Sequence, residues 1–286
     1  MPAFAGMTIS ASGMLTPEQL RRYLNRIGFD GQPRADRETL ATIARFHTAA
    51  IPFENLDPLM GKPAELAVGA LVAKLVQGRR GGFCFEQNGL LWHALETIGF
   101  DVTALAGRVR WNIPAHVPMP RTHNLLLVRL GREQLLIDVG FGGAVLSGIL
   151  ELREGEQATP HEPFRLLRDG DGWAQQISVG GEWRTTYGFD LQPQLHVDFG
   201  VASWWASTNP ASPFTHGVMA ALALPDRRLA LRDADLAIHH LGGPTERRRI
   251  GTIDELIRLL AEDFGIGIVD EAALRARLEA VELLAK

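Results

Sequence analysis

The chain of 286 residues contains a single cysteine, Cys84. A lone thiol excludes an intrachain disulfide and any zinc site built from several cysteines, and it fits a reducing, cytoplasmic setting. Lysine is nearly as scarce. Lys62, Lys74 and Lys286 are the only ones among 29 basic residues, so ionic phosphate contacts would come from arginine. No run of five like charges occurs ("ERRRI", 246–250, comes nearest) and the net charge is −4. That balance offers neither a nucleic-acid footprint nor a membrane-binding basic face. No apolar stretch approaches the ~20 residues of a spanning helix. A Walker loop, a dinucleotide fingerprint, internal repeats and low-complexity segments are all missing. The opening "MPAFAGMTISASG" lacks the basic start and unbroken apolar core of a signal peptide. Residues 1–13 read as a mobile extension, with the domain opening at Met14.

What is present is ordinary for a soluble globular protein: 46% hydrophobic and 22% charged residues, over a length that suits about two or three units. The first third reads helical. Thr16-Pro17-Glu18-Gln19 is a capping box ahead of Leu20, Tyr23, Leu24 and Ile27, closed by Gly28. Asp36 caps a second helix through His47. "IPFENLDPLMGKP" (51–63) reads as a loop, Val68–Gln77 as a third helix, and the stretch after Cys84 as a fourth, closed by Gly99. The middle changes period. "DVTALAGRVRW", "HNLLLVRL" and "QLLIDVGF" read as strands, the last two joined at Gly131-Arg132, and "PFRLLR", "WAQQISV" and "EWRTTYGF" continue an antiparallel meander. After an aromatic, turn-rich stretch (201–214), "RRLALRD", "LAIHHL" and "ERRRIG" read as strands. Thr252 and Asp270 start two closing helices. The fold class is α+β: a helical part over 14–99, a curled sheet or barrel over 100–205, and a mixed part over 206–286.

Cys84 stands where coil becomes helix. Amides there lack intrahelical acceptors and the macrodipole is positive, so a thiolate is favoured. Gly81 and Gly82 would let the backbone approach whatever the sulfur attacks. The bland reading is a buried structural cysteine, and the polar Glu86-Gln87-Asn88 argue against it. A thiol nucleophile needs a base, and the base an orienter. His123 opens an apolar strand. Asp138 sits among apolar strand residues, where an unpaired charge is costly. With a turn at Gly131-Arg132 both lie about seven or eight residues from its centre, hence level across the hairpin and within reach of each other. Nδ1–H would then point to the carboxylate and Nε2 to the sulfur. Taken singly, His123 suits a satisfied core histidine and Asp138 a cap. Facing each other they suit acyl transfer, with Cys84 as nucleophile, His123 as base and acid, and Asp138 as orienter.

These segments, "RGGFCFEQN", "THNLLLV" and "LIDVGFGG" in that order, together with "IPFENLD" and "STNPASPF", resemble the arylamine N-acetyltransferases. The resemblance implies an N-terminal helical bundle, a central antiparallel β-barrel and a C-terminal α/β lid, with a papain-like triad. It implies a two-step reaction in which acetyl-CoA acetylates Cys84 and an arylamine, hydrazine or arylhydroxylamine takes the acetyl group, with no metal. It suggests an Arg80–Glu54 charge pair, Phe53 in an aromatic acceptor pocket, and Phe141, Gly142, Thr122, Trp111 and Thr208 as coenzyme A contacts. Papain-like hydrolases and transglutaminases share the residue order but not these motifs. An amide synthase of the same family and a non-catalytic scaffold are the other readings.

Overall fold

The computed structural model describes residues 13–114 and 116–285. Of the extension expected at 1–13, all but Gly13 lies outside the described residues.

Five helical segments form the first part. Helix α1 (Pro17–Ile27) opens on the reciprocal Thr16–Gln19 box, and left-handed Gly28 closes it. Helix α2 (Arg37–Ala50) is capped by the Asp36 carboxylate, which accepts from the Thr39 amide. The stretch expected as a loop instead holds a short strand β1 (Phe53–Glu54) and a helical turn α3 (Leu56–Leu59). Pro58 lies within the first turn, where its missing N–H costs no helical bond. Helix α4 (Val68–Leu71) runs on as a π-helix through Gln77, and α5 (Cys84–Ile98) ends at left-handed Gly99.

Eight strands make the barrel: β2 (Asp101–Val109), β3 (His123–Leu130), β4 (Glu133–Ile137), β5 (Ile149–Glu151), β6 (Gly155–Gln157), β7 (Phe164–Asp169), β8 (Gly172–Val179) and β9 (Glu182–Phe189). Their order is β5-β4-β3-β2-β9-β8-β7-β6. The two edge strands are joined through the Gln157 side chain, which accepts from the Glu151 amide and donates to its carbonyl (2.8 and 2.9 Å). Strand β3 explains its unbroken apolar run. Leu125 and Leu127 fill the barrel, whereas Leu126 and Val128 belong to the helical core on the other face. The turn at Gly131-Arg132 joins β3 to β4 as expected.

The aromatic first half of the 201–214 stretch belongs to a helix, α6 (His196–Thr208), and the turn-rich half follows it. Phe199 and Ala206 pack on the helical core while Val201 and Trp204 face outward, so apolar residues on both sides hide the period. Strands β10 (Met219–Leu224), β11 (Arg227–Arg232), β12 (Asp235–His240) and β13 (Thr245–Arg249) follow, then helices α7 (Ile253–Glu262) and α8 (Glu271–Ala280). The second sheet runs β1-β10-β11-β12-β13, so the first part contributes the edge strand of the last. Leu229 and Leu231 of this sheet share a core with Leu256 and Leu260 of α7 and Leu278 of α8. The architecture is thus a helical bundle, an antiparallel barrel and an α/β lid.

Candidate active site

Cys84 is the first residue of α5, and its amide, like that of Phe85, has no acceptor within the helix. Glu86 completes the entry by accepting from the Phe83 amide (3.2 Å) while Lys74 holds its other oxygen at 2.6 Å. The two glycines before the cysteine serve this packing, not an approach to a ligand. A Cβ on Gly81 would lie 1.9 Å from the Pro52 carbonyl oxygen, and one on Gly82 would lie 2.6 Å from Glu86 Oε2. The thiol is 4% exposed and donates weakly to the Thr122 carbonyl at 3.7 Å.

Strand β3 delivers His123 beside that thiol. Its Nε2 lies 2.7 Å from Asp138 Oδ2, and both residues are buried. The two are not level. Leu126 pairs with Ile137, so position 138 falls opposite Leu125, and Asp138 reaches His123 as a diagonal neighbour on the same face, just past the end of β4. The ring is also turned the other way from expectation: Nε2 engages the carboxylate, leaving Nδ1 as the other nitrogen. Burial opposes a charge on His123. The Asp138 carboxylate and then Cys84 outweigh it and raise the imidazole to about 10. Burial likewise opposes the charge of Asp138, yet His123, Asn88 and the Gly140 amide hold its carboxyl below the usual range.

Three residues that the sequence did not single out complete this centre. Asn88, one turn after Cys84, donates to Asp138 Oδ1 and to the Asn124 carbonyl (both 2.8 Å) and accepts from the Val139 amide at 3.0 Å. Gly140 donates to Asp138 Oδ1 at 2.9 Å, and a Cβ there would lie 2.7 Å from Cys84 Cα. Tyr187 of β9 packs 4.7 Å from the His123 ring and donates to Gln175 at 3.0 Å. Burial and then Asp138 push its phenol well above its ordinary value. The polar run Glu86-Gln87-Asn88 and the i, i+4 spacing of Cys84 and Asn88 were the signals available for Asn88.

Phe141 stands edge-on to His123 at 5.3 Å, and Trp111 edge-on to Phe141 at 6.5 Å. Phe53 packs on Gly142, whose φ is +76° and whose Cβ position would stand in ordinary contact with the ring at 3.5 Å. Phe214 touches both Phe53 and Phe83. Phe53, Gly142, Val139 and Ala221 share one small cavity, and Phe85, Asn124, Trp92 and His196 line another. The structure thus brings His123 and Asp138 beside Cys84, with the Thr122 carbonyl at its sulfur, Phe141 against the His123 ring and Trp111 against Phe141, while Thr208 ends α6 and donates to the Trp204 carbonyl of its own helix. Behind them, Arg80 donates to fully buried Glu54 at 2.8 Å and to Asp57 at 3.1 Å, and Lys74 bridges Asp57 and Glu86. The charge pair suggested by resemblance is therefore present within a five-residue network.

A buried thiol beside a carboxylate-held imidazole can take up and release an acyl group. Residues 36–273 match the N-acetyltransferase family. An arylamine N-acetyltransferase of Mycolicibacterium smegmatis is 44% identical over 267 residues, covering 92% of this chain and 97% of the relative. A relative in Salmonella typhimurium, named arylamine N-acetyltransferase / N-hydroxyarylamine O-acetyltransferase, is 41% identical over 235 residues, 82% of this chain and 83% of its own. The solved Mycobacterium marinum arylamine N-acetyltransferase in complex with CoA superposes with a TM-score of 0.88 at 40% identity, over 92% of this chain and 99% of that one. The match extends from α2 into α8 and spans all three parts of the fold, and the chain belongs to the arylamine N-acetyltransferase family of acyltransferases.

Proposed function

We propose that the chain carries acetyl from acetyl-CoA to arylamines, hydrazines or arylhydroxylamines through a thioester on Cys84. The observation that carries this reading is the 2.7 Å contact between His123 Nε2 and Asp138 beside the cysteine, with the proton held on the ring to about pH 10. In the first half-reaction the Cys84 sulfur bonds to the acetyl carbon, the carbon–sulfur bond to coenzyme A breaks, and His123 gives its proton to the departing thiolate. In the second, the acceptor nitrogen bonds to the carbonyl carbon, the bond to Cys84 breaks, and His123 takes the proton released by the amine. The Cys84 amide at the helix start is one donor for the oxyanion. A thioester donor and a thioester intermediate are close in energy, which suits reversible transfer.

Phe141, Gly142, Trp111, Thr122 and Thr208 would line the path of coenzyme A. Phe53, against Gly142 and Phe214, would form one wall of an aromatic acceptor pocket. The CoA complex of the M. marinum relative and the acceptor classes in the relatives' names support coenzyme A and arylamines or N-hydroxyarylamines as the ligands. Among the described residues no helix is long and apolar enough to cross a membrane, and the lone thiol supports a cytoplasmic location. Intact mass spectrometry after mixing with acetyl-CoA tests the reading. The expected result is a gain of one acetyl mass that is absent in Cys84→Ala and lost on adding an arylamine. Acetyl-CoA hydrolysis matching transfer to every amine offered would make the chain a thiol hydrolase instead.

A further inference from the structure

The sequence placed His93 on the helix of the cysteine but 2.5 turns from it, and the chemistry above gives it no part. We propose that His93, Glu96 and His196 form a binding site for one divalent transition-metal ion of the zinc class, tying the far end of α5 to the start of α6. One donor atom from each of the three residues falls in a group whose members are all within 4.8 Å of one another. The site is separate from the acyl-transfer centre, for which the resemblance implies no metal.

The helices bring these groups together for ordinary packing reasons. His93 and Glu96 share a face of α5 at i, i+3. His196 is the first residue of α6, which is seated on α5 by Phe199 against Phe85 and Trp92 (ring centroids 5.6 and 6.4 Å apart). His93 is 4% exposed, and its Nδ1 has no hydrogen-bond partner among the described residues, an arrangement that costs free energy unless something else engages the nitrogen. The Gly13 carbonyl comes near enough to favour a proton on the ring but falls short of hydrogen-bonding geometry. The point where a Cβ of Gly13 would stand is 3.6 Å from His93 Nδ1 and 3.9 Å from Glu96 Oε2, so both atoms face the same glycine. Glu96 uses Oε1 to accept from the Trp92 indole (2.8 Å), which fixes the carboxylate and leaves Oε2 available. That bond is an outer contact of the type that orients a metal-binding side chain.

Two imidazoles and one carboxylate without a thiolate select zinc-like ions over magnesium or calcium, with water completing the shell. His196 stacks parallel on His93 (4.7 Å, 3°) and on Trp92 (3.4 Å, 13°), so its in-plane lone pair must swing towards the metal. The residue is exposed, and turning its ring towards the metal gives up the stack on Trp92.

The test uses the full chain carrying Cys84→Ala, which removes the competing thiol and makes the result independent of the proposed reaction. Zinc titrated calorimetrically should bind one ion per chain with micromolar or tighter affinity. His196→Ala and Glu96→Gln, an exposed site and an isosteric change that both keep the fold, should each weaken binding by about tenfold or more. Cobalt in place of zinc should give visible absorption bands of a low-coordinate nitrogen–oxygen site, and His196→Ala should abolish them. Binding no tighter than millimolar, or affinity unchanged in both variants, would overturn the site.

Discussion

Asn88 Nδ2 lies 2.8 Å from Asp138 Oδ1, so the helix that begins with Cys84 also grips the carboxylate that holds His123. Helix and barrel are locked together at the point where the thiol meets the imidazole. Asn88→Ala removes that bond and leaves the Asn124 carbonyl and Val139 amide without their partner, all in buried surroundings. A hydrogen bond to a buried charge contributes about 1.5–3 kcal/mol, and urea unfolding of the variant should show a loss of that order. The acetylation half-reaction should slow while the KM for acetyl-CoA stays near wild type, because Asn88 positions the centre without lining the coenzyme path. Stability and rate both within twofold of wild type would show that Asp138 is held adequately without it.

Asp138→Asn keeps the shape and removes the charge. The wrong imidazole tautomer then becomes accessible, and acetyl transfer should drop by about 10³–10⁴-fold, as such substitutions do in hydrolytic triads. The sign of the pH effect follows from the carboxylate's role. Asp138 favours the imidazolium and helps raise His123 to about 10. Without it the ring loses its proton at lower pH, so the alkaline fall of the acetylation half-reaction, in which the protonated ring meets the departing thiolate, should move to lower pH. A pH–rate profile superimposable on wild type would mean that another group orients the ring.

How much of this was legible depended on whether a residue's oddness was local. Cys84 behind two glycines, His123 at the head of an apolar strand and Asp138 inside "LLIDVGF" are each out of place in their own surroundings. Helix caps at Thr16, Asp36, Thr252 and Asp270 are local chemistry as well, and all four form. The missed features depend on distant partners. Strand β1 exists because Phe53 and Glu54 pair with Ala221 and Ala220. The outward Val201 and Trp204 disguised α6. The orientation of the His123 ring follows from the side on which α5 packs, which no spacing within β3 and β4 encodes.

The Arg80–Glu54 pair should behave as a buried ion pair. Glu54 is fully buried and accepts from Arg80 at 2.8 Å and from the Leu56 and Gly81 amides at 2.7 and 3.3 Å. Arg80→Gln leaves Glu54, Asp57 and Glu86 sharing Lys74 alone. Breaking one side of a buried pair costs about 3–5 kcal/mol, and the denaturation midpoint should fall accordingly. Adding Glu54→Gln should recover part of the loss, because the excess negative charge is then reduced. A double variant no more stable than Arg80→Gln would locate the cost in lost packing of the arginine.

Acid stability should depend on His47. It is buried between the Tyr23 hydroxyl (2.9 Å) and Gln87 Oε1 (2.7 Å), linking α1, α2 and α5. Burial, the largest influence, lowers its pKa to about 4. The unfolded chain therefore binds a proton below about pH 6.5 that the folded chain takes up only near pH 4. Stability from this group is present above pH 6.5 and is lost as the pH falls through that window, by ~3 kcal/mol in all. His47→Gln should flatten this part of the stability–pH curve, measured by urea unfolding between pH 7 and 4. A slope equal to wild type would assign the acid sensitivity to other buried histidines.

Two glycine substitutions should separate close packing from backbone conformation. Gly131 has φ +60° in the β3–β4 turn, with open space around its Cβ position. Gly131→Ala meets only the left-handed penalty, about 1–2 kcal/mol, and should retain activity. Gly81 needs no positive φ, but its Cβ would stand 1.9 Å from the Pro52 carbonyl oxygen and 2.8 Å from Glu54 Cγ. Backbone cannot yield there as a flexible side chain would, because Pro52 is held by bonds from the Gln87 side chain and the Gly82 amide. Gly81→Ala must push β1 and its Glu54 away from the loop that presents Cys84. Its melting temperature should fall much further than that of Gly131→Ala, and acetylation of Cys84 should be lost in whatever fraction folds. A Gly81→Ala protein that melts and acetylates like wild type would show that the contact between the two loops is looser than the 1.9 Å approach requires.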